Sequence, residues 1–149
     1  LPAWAAGIDP EVEIVRRRSP VREGAVGIDL LQGISDVGVL PVASPERAVL
    51  EALDDVPAEV DFREAHEWVG ALTTARPTLV QQLLEATPNY RIRRIFLWCV
   101  HHHGHAWLSR LNLRRIDLGK GKRRIVTNGR YDSRFGITVP RELADAETV

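Results

Sequence analysis

Residues that start or stop helices cut the middle of this chain into four helix-length pieces. Ser44-Pro45-Glu46 opens the first. Ser44 can accept from an orphan amide, Pro45 suits the first helical position, and Glu46 suits the positive end of the helix dipole. Val49, Ala52, Leu53 and Val56 form its apolar stripe, and Pro57 stops it. Asp61, with Glu64 at capping-box spacing, starts the second helix, which turns Phe62, Ala65, Val69 and Leu72 inward. Pro77 opens a third helix with Leu79, Val80, Leu83 and Leu84 inward, and Pro88 ends it. The fourth is predicted from Tyr90 to His103. Ile92, Ile95, Phe96, Cys99 and Val100 face the core, Arg91, Arg94 and His101 face away, and Gly104 is the terminator. Val49, Leu53, Val69, Leu83, Ile95, Phe96 and Val100 are thereby expected to share one core.

The flanks change period. Val12 to Arg18 and Gly33 to Ala43 read as strands, with Pro41 placing the second at an edge or a bend. After the helices, Ile116 to Leu118 and Arg123 to Thr127 read as strands joined by Gly119-Lys120-Gly121-Lys122. Asn128-Gly129 is a hairpin signal with Tyr131 on its return strand, and Gly136 to Val139 is a last strand closed by Pro140. A run of helices between strands, rather than strict alternation, is an α+β pattern. The 149 residues fit one domain, with short N-terminal strands, about four central helices and a C-terminal β-hairpin region.

Composition narrows the function classes. No apolar run approaches the roughly 20 residues of a membrane helix. The start, LPAWAAGIDP, has no basic n-region of a signal peptide. The single cysteine, Cys99, lies in the apolar run Ile95 to Val100, so it reads as a small buried hydrophobe and gives no case for an oxidising compartment. These features lead to the expectation of a soluble cytoplasmic protein without membrane partners. The chain begins at Leu1 and lacks methionine, which reads as a piece of a longer protein or a processed one.

Net charge is zero, yet Tyr90 to Arg134 is strongly basic, with only Asp117 and Asp132 opposing its cations. Arg91, Arg94, Arg114, Arg115, Lys120, Lys122, Arg123, Arg124 and Arg130 are the candidate nucleic-acid contacts, as phosphate-binding cations. Alternation along a strand sends Arg123 and Arg124 to opposite faces, so not all can join one patch. The alternative is that the acidic first half faces the basic second half, or that each charge is solvated separately.

No catalytic constellation assembles. His101-His102-His103-Gly104-His105 offers metal-ligand residue types, but Gly104 breaks the helix between them and no cysteines or acids accompany them. A helix C-terminus favours histidine for dipole reasons alone. Gly119-Lys120-Gly121-Lys122 lacks the spacing of a phosphate-binding loop and reads as a glycine-rich turn. Ser109 has no nucleophile elbow around it. The expectation is a chain with no metal, no cofactor and no catalytic residues. The competing readings are a general nucleic-acid-binding module on residues 91–134 and a hydrolase or metal-dependent nuclease centred on the histidines.

SPERAVLEAL, Ser44 to Leu53, resembles a segment of AbiEi-type antitoxins of abortive-infection, type IV toxin–antitoxin systems. Similar signals follow in order: Leu72 to Pro77, Leu83-Leu84-Glu85, Arg94 to Trp98, and His103 to Leu108. Ile116 to Gly119, Gly121-Lys122-Arg123 and Gly136 to Leu143 close the set. The resemblance is good from about Asp36 to Leu143 and weak over the first third of the chain. It implies the C-terminal antitoxin domain of a protein whose winged-helix domain lies outside this chain. It also implies a regulator that represses its own operon through operator DNA and counters a nucleotidyltransferase-like toxin. It supplies no catalytic residues.

Overall fold

A computed structural model describes residues 17–22, 24–32 and 38–146, together with Glu11, Glu13 and Val15. Strands β1 (Ile28–Gln32) and β2 (Val39–Ala43) form an antiparallel pair that leads into helices α1 (Pro45–Ala52), α2 (Phe62–Gly70), α3 (Pro77–Ala86) and α4 (Tyr90–His103). Three short strands follow, β3 (Arg123–Arg124), β4 (Arg130–Asp132) and β5 (Ile137–Val139), and then helix α5 (Arg141–Asp145). Among the described residues, five α-helices and two small sheets make the α+β class expected from the sequence. No helix among the described residues is long and apolar enough to cross a membrane.

The helix signals act as read. The Ser44 side chain accepts from the Arg47 amide, and Pro45 occupies the first turn of α1. Asp61 Oδ1 accepts from the Arg63 amide at 2.8 Å, and Asn89 Oδ1 caps α4 through Arg91 at 3.0 Å. Gly104 closes α4 in the left-handed region at φ 65°, which an L side chain resists. Leu53, Val69, Leu83, Ile95, Phe96 and Val100 are fully buried in one cluster, and Val49 packs against it half-buried. Leu50 takes the innermost position of α1 instead.

Helix α1 packs on α2 and α3, and α2 on α4. Every residue of α4 from Ile92 to Val100 is buried. An amphipathic stripe would leave one side wet, whereas α4 is enclosed on all sides at this level. The 3₁₀ turn Leu53–Asp55 abuts it, and the irregular segment 116–122 crosses its arginine side.

The flanks depart from the sequence reading. Of the expected strand Val12 to Arg18, Val12, Ile14 and Arg16 lie outside the described residues, and Glu13, Val15, Arg17 and Arg18 belong to no strand. Of Gly33 to Ala43, Gly33–Val37 lie outside the described residues, while Val39–Ala43 is β2. Its partner β1, with Leu30 opposite Pro41, escaped notice because Leu30 and Leu31 are both exposed and break the alternation that marks a half-buried strand. Pro41 does sit at an edge, since each strand of a two-stranded pair is one.

Ile116 to Leu118 is not a strand, and of Arg123 to Thr127 only Arg123 and Arg124 are strand, with the Val126 amide adding one bond to Thr138 O at 3.4 Å. The order in the second sheet is β3-β5-β4, with β5 parallel to β3 and antiparallel to β4. Asn128 does turn the chain, at φ 56°, but it does not join paired neighbours. The true hairpin runs from β4 to β5, closed by the Gly136 amide on Asp132 O at 2.8 Å. Residue 129 must be glycine, because a Cβ there would lie 2.3 Å from Val139 O. Ile137 and Val139 are fully buried, so the last strand in sequence is the central one in space.

Phe96 is fully enclosed. Replacing it with alanine is expected to destabilise the fold by about 3–5 kcal/mol, read as a fall in the urea midpoint at unchanged slope. A midpoint equal to that of the parent protein would contradict this packing.

Candidate nucleic-acid interface

The basic segment divides into cations that hold the fold and cations that face water. Arg94, expected outward, is 3% exposed. Its Nε donates to Leu118 O at 2.6 Å, and its NH1 donates to Gly121 O at 2.7 Å and Gly136 O at 3.1 Å. Arg93 behaves alike, donating to Leu84 O, Asp117 O and Glu85 O at 2.7–3.1 Å. Arg91 reaches the other way, to Val56 O and to Asp54 O and Oδ1. Most of these carbonyls belong to turns and irregular segments, while Gly136 O also accepts from the Arg123 amide at 2.8 Å. Arg94 therefore cannot join a surface, and Arg91 is committed to the turn after α1.

Arg114, Arg115, Lys120, Lys122, Arg123, Arg124 and Arg130 are exposed, as are Arg110 and Arg134. Arg115 pairs with Glu85 at 3.0 Å, and Arg130 pairs with Asp145. Arg114, Lys120, Arg123 and Arg124 meet no acid among the described residues. Arg123 lies opposite Ile137 and Arg124 opposite Thr138, so strand alternation separates them as expected. Lys122 places Nζ 5.0 Å from the centre of the Tyr131 ring.

The histidines form an interface between α2 and α4 rather than an open site. Sequence reading missed the central member, His66 on α2, which is 4% exposed. The His102 Nε2–H donates to Ala146 O at 3.1 Å, so Nδ1 of the neutral ring is an acceptor. His66 Nε2–H then donates to that Nδ1 at 3.0 Å. This leaves His66 Nδ1 buried without a hydrogen bond, 3.7 Å from the Glu67 carboxylate. His103 stacks on His66 with ring centres 3.9 Å apart and donates to His66 O. His105 donates to Val69 O at 2.9 Å. Gly70 makes room, since a Cβ there would lie 2.6 Å from His103 Cε1. Among the described residues, no group of three or more His, Cys, Asp or Glu could hold a metal ion.

A cleft of about 410 Å³ lies beside this interface, lined in part by Trp98, His101, Arg130, Tyr131 and Arg134. Asp132 is occupied there. Its Oδ2 accepts from Trp98 Nε1, and its Oδ1 accepts from the amides of Arg134 and Phe135. The Arg134 guanidinium donates to His101 Nε2. Burial and that guanidinium both push the His101 pKa below its ordinary value. Ser109 Oγ donates to Ala106 O, and burial pushes the Cys99 thiol pKa up, so neither is an activated nucleophile.

A family model described as "Transcriptional regulator, AbiEi antitoxin, Type IV TA system" matches residues 1–140. The chain belongs to the AbiEi antitoxin family. The match takes in the first third of the chain, where the resemblance in the sequence is weak. Neither the curated proteins nor the solved structures contain a match to it.

The segments that carry the AbiEi likeness are structural. In SPERAVLEAL, Glu46 is buried and accepts from the backbone amide, Nε and NH2 of Arg76, each at 3.0 Å. Burial raises its pKa, but the hydrogen bonds from Arg76 outweigh that and hold it at about 2. Arg47 donates to Gly24 O and Val26 O as well as to Glu51, tying the first described loop to α1. In the segment after α4, Trp107 Nε1 donates to Leu72 O at 2.7 Å. Apolar periodicity carries no sign of these polar ties, because each partner is distant in sequence.

His66 makes the AbiEi fold sensitive to mild acid. Burial, then the nearby His103 and His102, lower its pKa from 6.5 to about 4. The unfolded chain therefore binds this proton first. Its contribution is fully present above pH 6.5 and is lost as pH falls toward 4, with about 2–3 kcal/mol gone by pH 4.5. Urea midpoints measured from pH 7.5 to 4.5 should fall accordingly, and His66→Phe should flatten the profile. A flat profile in the unmutated protein would show that His66 titrates normally.

Proposed function

We propose that this chain is a non-enzymatic antitoxin domain of an AbiE-like system, acting in the cytoplasm against a nucleotidyltransferase-like toxin. With a winged-helix domain it helps repress its own operon, and the system serves phage defence. The observation that carries this reading is the family match across residues 1–140. Its polar centres support it: the buried arginines, Glu46 and His66 are bound to other parts of the fold, not arranged around a reacting group. Co-expressing residues 1–149 with the toxin is expected to restore growth at least partly. Protection that appears only when a winged-helix domain is also present would remove antitoxin activity from this region.

DNA contact is assigned to the exposed cations. Arg114, Lys120, Lys122, Arg123 and Arg124 are exposed without carboxylate partners among the described residues, which leaves their charge available to phosphates. Arg115 and Arg130 contribute less because Glu85 and Asp145 already neutralise them. Affinity for duplex DNA should fall by roughly 0.9 log units per log unit of salt for each phosphate contacted. Replacing Lys120, Lys122 and Arg124 with alanine should flatten that slope and weaken all sequences about equally. No binding by the folded protein at low salt would leave these charges to the toxin side or to solubility.

A further inference from the structure

The three-stranded sheet carries an exposed row that charge alone does not explain. Register places Arg124 on β3, Thr138 on β5 and Tyr131 on β4 directly across from one another. Paired residues share a face, so these three side chains leave the sheet together. The alternate row contains Ile137 and Val139, both fully buried, so it faces the core and the Tyr131 row faces out. Lys122 lies two residues before Arg124 and falls on the same side, with its ammonium 5.0 Å from the Tyr131 ring centre.

Tyr131 is 43% exposed on this face, and its hydroxyl has no hydrogen-bond partner among the described residues. A large aromatic side chain left on the surface gains neither core packing nor a buried hydrogen bond. Flanking cations attract a polyanion, but a duplex offers them only its phosphates and groove edges, because its base faces are stacked on each other. An unpaired strand offers phosphates and base faces together, which is the combination that an exposed ring with cations on one side of it fits.

We propose that the outer face of β3-β5-β4 binds an unpaired stretch of nucleic acid, with Tyr131 stacking on a base and Lys122 and Arg124 holding the adjoining phosphates. This rests on the reading that the exposed cations contact nucleic acid, and it adds the form of nucleic acid that they meet. Opening of a duplex at the operator, or a transcript, would present such a strand.

The test is fluorescence anisotropy at low salt with the folded chain and three labelled probes: a 12-nucleotide DNA strand, the RNA of the same sequence and the matching 12-base-pair duplex. The single strands should bind more tightly than the duplex. Tyr131→Ala should weaken strand binding by roughly 5- to 150-fold while changing duplex binding by less than about twofold. Tyr131→Phe, which keeps the ring, should restore it. Tighter binding of DNA than of RNA points to an opened operator, the reverse points to a transcript, and either upholds the stacking. An equal effect of Tyr131→Ala on strands and duplex, or no effect on either, overturns it while leaving phosphate contact intact. Failure of all three probes to bind overturns the phosphate reading itself.

Discussion

Two buried guanidinium groups hold the second half of this protein on the first. Arg93 and Arg94 leave α4 and spend their hydrogen bonds on the carbonyls of Leu84, Glu85, Asp117, Leu118, Gly121 and Gly136. An unpaired carbonyl away from water costs roughly 1–3 kcal/mol, so a segment without regular pairing can lie against a core only if something else supplies donors. A guanidinium supplies five N–H donors in a fixed plane and stays charged at all relevant pH values. The stretch after α4 thus has no need of a sheet until β3, and the residues read as a strand at Ile116 to Leu118 lie irregularly across the arginines.

The same device recurs at the other end. Arg47 fastens the loop at Gly24 and Val26 to α1, and Glu46 fastens the start of α3 through Arg76. Each joins α1 to a segment at least 20 residues away in sequence. The polar residues of the AbiEi segment are thus joints between elements. Losing Arg76 would strand the buried Glu46 carboxylate without its donors, which is costly.

The histidine interface follows a related logic with a weaker donor. Neutral imidazoles relay hydrogen bonds from His66 through His102 to Ala146 O, while His103 and His105 close onto the carbonyls of α2. The cluster that looks like a metal site in the sequence is a set of helix-to-helix hydrogen bonds, made possible by the close approach at Gly70. Neutrality of His66 is its condition, because burial and then the nearby His103 and His102 disfavour a charge on that ring.

Local physics was legible without coordinates. The caps at Ser44, Asp61 and Gly104, the proline boundaries and the inward residues of α2 to α4 each depend on neighbours within about four positions, and the sequence by itself determined them. The α+β class followed from their order. What only the tertiary structure decided are the relations between distant residues: that β5 lies between β3 and β4, that His66 joins the later histidines, and that Arg94 turns inward while Arg124 stays out. Two arginines in one sequence look alike because charge is a local property. Which one is buried depends on whether unpaired carbonyls from elsewhere in the chain arrive beside it, and only the folded structure brings them there.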